Sequence, residues 1–289
     1  MRWLKLYAVL VLWAGSFILN EVALRSLGPA AVVAGRWSLT ALLVLALTAH
    51  RRELPALRRG LRAEFWSFLA LGAVGIALLY GLQVAGQSLT SAVNTGLLAN
   101  MVGIFTALLA ALFLGERLPP AAWVGIVVAL LGAWVVSAGG LRLQIRSETA
   151  LGDALVLTSS LVAALYFVMG KRLLARHSPL VVTSAASALG ALVLLPLAVW
   201  EGSWRTATWP AVASVAVLAI GPGLLANLWW WETAEWLEAS RAAVYIYLIP
   251  LITMAMAVVL LHEPLSLAQG AGAGLVLSGV VLAERSRLG

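Results

Sequence analysis

An all-helical integral membrane protein of about ten spans, built as two inverted five-helix repeats, is the fold that this sequence predicts. Three observations carry the prediction. Hydrophobic residues make up 62% of the chain and charged residues only 11%, with a mean hydropathy of +0.99. A soluble domain carries roughly a quarter charged residues. Apolar runs long enough to cross a ~30 Å hydrocarbon core recur from end to end. Finally, Leu114-Gly115-Glu116-Arg117-Leu118, running on to Gly132, is copied by Leu261-His262-Glu263-Pro264-Leu265, running on to Gly279. One shift of 147 positions (263 minus 116) superposes the glutamates, the leucines that follow, Gly125 on Gly272 and Gly132 on Gly279. A duplicated hydrophobic half is the mark of a transporter whose path lies between its repeats.

The elements follow in order. Residues 4–24 come after Met1-Arg2-Trp3-Leu4-Lys5, which resembles a signal peptide. No small-x-small cleavage site closes the run, Asn20, Glu21 and Arg25 follow directly, and the repeat needs this helix, so it reads as a mature span. Residues 29–49 form the second span and hold Arg36. A polar, arginine-bearing connection over 50–64 leads to spans near 65–87, 90–114 and 119–138. A second such connection, 139–149, precedes spans near 150–173, 179–199, 209–231, 239–261 and 266–284. Gly221-Pro222-Gly223 is the clearest helix break. Runs of this length are helical, because in lipid each segment must satisfy its own backbone donors. The alternation of a membrane β-barrel strand is absent. Five spans per half is odd, so the second half enters from the opposite side; the halves are 1–140 and 150–289. Thr106 falls on Thr253 and Gly75 on Pro222, while near the starts of the halves the shift is 150, placing Phe17 on Phe167 and Pro29 on Pro179.

The net charge of +7 reports topology rather than a nucleic-acid partner. With the N-terminus in the cytoplasm, 14 of the 19 Lys and Arg fall on the cytoplasmic side, four on the other, and Arg36 inside a helix. That is a strong positive-inside bias. It implies a cytoplasmic (inner) membrane protein with both termini inside. Cysteine is absent, which removes disulfide and thiolate chemistry. No metal-ligand cluster, phosphate loop or nucleophile elbow occurs, and His50, His177 and His262 are scattered, so neither an enzyme nor a cofactor is expected. A receptor or scaffold would not require inverted halves.

Five features recur in order: Leu12-Trp13-Ala14-Gly15-Ser16-Phe17 in helix one, Gly35-Arg36 in helix two, Leu114-Gly115-Glu116 before helix five, Gly152-Asp153 opening the second half and His262-Glu263-Pro264-Leu265 before helix ten. With these features the chain resembles the EamA branch of the drug/metabolite transporter superfamily. The resemblance covers nearly the whole chain. It implies ten helices, cytoplasmic termini and export or exchange of small metabolites, with amino acid exporters the nearest comparison; sugars, nucleosides and cationic drugs are the alternatives.

Polar groups deep in lipid are costly and point to a path. Arg36 lies about 10 Å along its helix from Pro29. A central arginine costs roughly 2.5–3.5 kcal/mol on insertion scales. It either attracts a substrate carboxylate or serves as an internal hydrogen-bond hub. Trp13, Phe17 and Asn20 share one face of helix one and suit a cavity wall, although interfacial anchoring explains most of the 13 tryptophans. In helices four and nine, Gly96, Asn100, Gly103 and Ala107 correspond to Ala243, Tyr247, Pro250 and Met254. In helices three and eight, Tyr80 corresponds to Asn227 and Gln83 to Trp230. Tyr166 and Tyr245 are further candidates, which packing would equally explain. Gly75, Gly103, Pro222 and Pro250 weaken their helices at paired depths and read as hinges or as ordinary membrane-helix residues. Glu116 and Glu263 sit in turns before helices, where a structural cap is favoured over a proton site. Gly270-x-x-x-Gly274-x-x-x-Ser278 and Ala121-x-x-x-Gly125-x-x-x-Ala129 let helices ten and five approach closely, within one chain or in a homodimer; a monomer packing them internally is the simpler reading. The expected partners are a small-molecule substrate and the lipid bilayer.

Overall fold

The computed structural model describes residues 2–90, 95, 98–116, 118–137, 149–252, 255–256 and 267–285. Among these residues every regular element is helical. In chain order they are α1 (Arg2–Leu24), α2 (Pro29–His50), α3 (Leu54–Leu89), α4 (Val102–Leu114) and α5 (Pro120–Ser137). The second series is α6 (Ala150–Leu174), α7 (Pro179–Glu201), α8 (Trp209–Trp236), α9 (Ala239–Ile246) and α10 (Leu267–Arg285). Six of them (α1, α2, α3, α6, α7 and α8) are long and apolar enough to cross a membrane, and the rest are shorter apolar helices. Proline stands in the first turn of α2, α3, α5, α7 and α8, where its missing N–H is an orphan anyway and its fixed φ suits the helix. Gly115 and Gly202 end α4 and α7 at φ +68° and +67°, the left-handed conformation that closes a helix without a Cβ clash.

Two boundaries differ from the sequence reading. Helix three starts at Leu54, inside the expected connection, because 54–63 forms a short arginine-rich amphipathic segment. The bend falls at Glu64 (φ −134°, ψ 39°). Its carboxylate accepts from His177 at 3.2 Å and pairs with Arg176 at 3.3 Å, so the segment is tied to the α6–α7 turn. Helix four is interrupted at Asn100–Met101, and its regular part begins only at Val102.

The helices pack as α1 on α8, α3 on α6, α2 on α7, α4 on α9 and α5 on α10. Exchanging the first five labels with the last five leaves this pairing unchanged. The closest approach is α5 on α10. A Cβ at Gly279 would lie 2.4 Å from the Ala129 nitrogen, and one at Gly132 would lie 2.5 Å from that of Val276. Gly125 and Ala129 thus serve the contact as expected. The Gly270, Gly274 and Ser278 stripe does not: Gly270 and Gly274 meet nothing within 4 Å, and Ser278 is exposed. The α10 residues that face α5 are Gly272, Val276, Gly279 and Ala283. They lie on another face of the helix.

Polar contacts join the helix ends at two faces. At the face where α1 begins, Lys5 pairs with Glu232 and Ser178 Oγ donates to Glu53 at 2.6 Å. At the opposite face, Glu201 accepts from the N–H groups of Ala30 (3.1 Å) and Ala31 (2.9 Å), capping α2. There Thr90 Oγ1 donates to Asp153 at 2.6 Å.

Candidate functional site

A cavity of about 90 Å³ lies between the halves. Its walls are Trp13, Ser16 and Phe17 of α1, Arg36 of α2, Leu79, Tyr80 and Gln83 of α3, and Ala99, Asn100 and Val102 around the start of α4. Ser159, Ser160, Ala163 and Phe167 of α6, with Ile246 and Ile249, close it. Trp13, Phe17, Arg36, Tyr80, Gln83 and Asn100 were candidates on sequence, and the fold brings all six to one space.

Arg36 is 2% exposed. Its guanidinium carbon lies 4.7 Å from the centre of the Tyr80 ring and 5.2 Å from that of Trp37. Each ring face returns about 0.5–2 kcal/mol, which offsets much of the burial cost. Buried Nε has no hydrogen-bond partner among the described residues. The guanidinium thus rests over two ring faces, and its Nε finds no acceptor among the described residues. The wall residues Trp13 and Phe167 form an aromatic cluster with Trp230 behind them, with Trp13–Trp230 at 5.0 Å and Phe167–Trp230 at 4.7 Å. Gln87 Nε2 donates to the Phe17 carbonyl at 3.1 Å, bracing α1 against α3. Ser160 Oγ donates to the Leu98 carbonyl at 2.9 Å, which ties α6 to the interrupted start of helix four.

Six candidates do not line this cavity. Asn20 is buried outside it, and Trp230 stands behind Trp13 as support. Tyr245 packs near Trp3, with ring centres 5.7 Å apart. Tyr247 is fully buried where α9 crosses Gly103; a Cβ there would be 2.5 Å from its ring. Tyr166 and Asn227 work together elsewhere. The Tyr166 O–H donates to Asn227 Oδ1 at 3.1 Å, and Asn227 Nδ2 donates to the Pro222 carbonyl at 3.2 Å. These groups are satisfied within the protein, so the reason for expecting them at a solute, an unused polar group in lipid, does not apply.

The helix irregularities are paired. Ala73–Leu78 of α3 and Ala219–Leu225 of α8 are π-helical and contain Gly75 and Pro222. Tyr166 links the two: its ring fills the space beside Gly75, where a Cβ would lie 1.7 Å away, and its hydroxyl bonds Asn227, which in turn bonds the Pro222 carbonyl. Thr40 of α2 donates to the Ala219 carbonyl at 3.0 Å. In helices four and nine the breaks fall three residues before the expected Gly103 and Pro250. Met101 and Gly103 bond to the carbonyls of Leu98 and Asn100, and Tyr247 and Leu248 to those of Val244 and Tyr245. Of these tighter i−3 bonds, those of Met101 and Leu248 sit 147 positions apart (248 minus 101).

Glu116 is a cap, but of a different helix from the one expected. It caps α9 rather than α5, which follows it, accepting from the N–H groups of Ala239 (3.0 Å) and Ser240 (2.9 Å) and from Ser240 Oγ (2.6 Å). Lys171 Nζ stands 3.4 Å away and also donates to the Leu237 carbonyl at 2.8 Å. Burial alone would raise the Glu116 carboxyl. The Ser240 and Ala239 donors, with Lys171, outweigh it and hold the group below the usual carboxylate range. Glu263, Gly96 and Met254 lie outside the described residues.

Sequence reasoning missed Ser159, Ser160, Ile246 and Ile249 in the wall. The adjacent Ser159-Ser160 pair, polar within an otherwise apolar helix, was the available signal. A larger cavity of about 480 Å³ lies at the ends of α1, α2, α7 and α8, lined by charges that include Arg2, Lys5, Arg51 and Glu235. It is the weaker candidate for a path. It sits at helix ends, and Lys5 and Glu53 in it already have protein partners.

The EamA-like transporter family model matches residues 3–138 and again residues 150–284. A protein of Archaeoglobus fulgidus named an uncharacterized transporter is 28% identical, over 99% of each chain. A protein of Streptantibioticus cattleyicolor named a probable terminal-alkyne amino-acid exporter is 32% identical, over 98% of this chain and 93% of its own. A solved crystal structure superposes with a TM-score of 0.82 at 20% identity, over 97% of this chain and 96% of that one, which shows the fold.

Proposed function

The chain belongs to the EamA-like transporter family, and from that premise we propose that it exports small metabolites, amino acids foremost, through the cavity at Arg36. The observation that carries the reading is a single buried cation, its Nε without a hydrogen-bond partner, in a cavity whose other described lining residues are rings, aliphatic groups, amides and hydroxyls. Such a wall suits an amphipathic solute: a carboxylate at Arg36, polar atoms near Asn100 and Gln83, and an apolar tail against Phe17 and Phe167. The volume, about 90 Å³, is well below the ~300–1,000 Å³ of drug-sized sites, which favours small metabolites over cationic drugs. The Streptantibioticus cattleyicolor relative, named a probable amino-acid exporter, supports the same class.

In this reading residues 1–140 and 150–289 are inverted halves that rock about the cavity. The π-helical segments at Gly75 and Pro222 and the breaks at Asn100 and Tyr247 supply the bending. Both termini face the cytoplasm, and the protein acts as a monomer in the cytoplasmic membrane, without cofactor or catalysis. The lining holds no carboxylate among the described residues, so cycling needs no imposed proton gradient.

Counterflow in proteoliposomes tests this: vesicles preloaded with unlabelled amino acids are given a labelled one without an ion gradient. Preload-stimulated accumulation is expected, reduced in Asn100→Ala protein. Unchanged kinetics in well-folded Asn100→Ala and Tyr80→Ala proteins would place the path elsewhere.

A further inference from the structure

We propose that this cavity selects its solute by the carboxylate and not by the ammonium group, with Arg36 as the specificity-determining residue. Its substrate class is then small carboxylic acids with apolar tails, and amino acids are accepted because they are carboxylates. The inference rests on the reading that this cavity is the transport site.

The charge pattern of the wall carries the argument. Arg36 is the single ionisable cation among the described lining residues, and none of them is Asp or Glu. A zwitterion therefore meets a fixed charge for its anionic end only. The guanidinium carbon lies over the Tyr80 and Trp37 rings. Buried Nε, whose N–H lies on one edge of the guanidinium, has no hydrogen-bond partner among the described residues. A planar carboxylate is the acceptor that matches such an edge in a bidentate fork.

The ammonium end has no comparable host. Ser159 and Ser160 donate their hydroxyl protons to the Val156 and Leu98 carbonyls, so they offer lone pairs alone. Neutral acceptors hold a cation more weakly than a carboxylate would. An amine lacking the carboxylate would also share a water-poor space with Arg36, where like charges repel strongly. Removing the amino group should thus change binding little, and removing the carboxylate should abolish it.

The test uses matched solutes on three tails: leucine, phenylalanine and 2-aminobutyrate, each with its 2-oxo acid and its decarboxylated amine. Binding to purified protein in detergent is read by tryptophan fluorescence, and counterflow in proteoliposomes is measured for the two acids of each set. The 2-oxo acids should bind within about threefold of the amino acids and drive counterflow, and the amines should bind at least tenfold more weakly. Arg36→Gln should remove the preference for acids. Gln83→Glu places an anion in the same wall and should raise amine affinity at least tenfold while weakening the acids, so the idea stays testable if Arg36→Gln fails to fold. Amines binding as tightly as acids, or amino acids moving while 2-oxo acids neither bind nor exchange, would overturn the selectivity and leave the transport reading standing. No counterflow with any acid would overturn both.

Discussion

Replacing Glu116 with alanine removes one carboxylate that holds three donors and one cation across the two halves of the sequence. Hydrogen bonds to charged groups are worth about 1.5–3 kcal/mol each, and loss of an exposed N-cap costs about 0.5–2 kcal/mol. The Glu116 side chain is 10% exposed, so water can replace only part of what is lost at Ala239 and Ser240. The expected destabilisation lies between those bounds, at about 2–4 kcal/mol. Glu116→Gln keeps an acceptor oxygen but loses the charge, and should cost about 1 kcal/mol. Lys171→Ala removes the long 3.4 Å pair, about 0–1 kcal/mol, together with the 2.8 Å donation to the Leu237 carbonyl, about 1.5–3 kcal/mol. The assay is unfolding in mixed micelles with rising anionic detergent, followed by tryptophan fluorescence, with amide exchange of 239–246 as the local reading. If Glu116→Ala falls within 0.5 kcal/mol of the native protein, the cap does not hold α9 and the reasoning fails. The sign with pH follows from the depressed carboxyl. Its contribution is present in full above the unfolded value of about 4.3 and is lost as pH falls below it. The gap between native and Glu116→Gln protein should be full at neutral pH and narrow in acid.

Three further substitutions, two of them with a matched control, test the packing. Gly75→Ala puts a Cβ 1.7 Å from the Tyr166 ring, whereas Gly81→Ala meets nothing within 4 Å; thermal unfolding should show the first destabilised by about 1–3 kcal/mol and the second unchanged or up to about 1 kcal/mol more stable. Tyr166→Phe keeps the ring beside Gly75 but leaves Asn227 Oδ1 without its donor, a loss of about 1–3 kcal/mol readable by detergent-induced unfolding. Gly279→Leu must separate α5 from α10, because the obstacles are the Ala129 nitrogen and the Gly125 oxygen, at a cost of about 1–3 kcal/mol or more. Gly274→Leu, with nothing within 4 Å, should stay within about 0.5 kcal/mol of native in the same melt.

The fold class was legible because hydrophobic length and internal duplication are linear properties of a chain. The site was legible only in part. Arg36, Trp13 and Tyr80 announced themselves by the cost of polar or bulky groups at depth, and they meet in the cavity. Tyr166, Asn227 and Tyr247 carried the same signal, yet one another and the helix breaks satisfy or bury them. Depth and polarity mark a residue as needing a partner without saying whether that partner is a solute or the protein.

Hydropathy and residue identity act locally, so the membrane fold and the weak points of helices three and eight at Gly75 and Pro222 could be read along the chain. Which polar groups share a space was set by tertiary packing. It set Glu116 on α9 rather than on α5, and it chose the Gly272–Gly279 face of α10 over the Gly270–Gly274 stripe. Those choices depend on how helices distant in sequence rotate and cross, and a linear spacing rule carries no information about that angle.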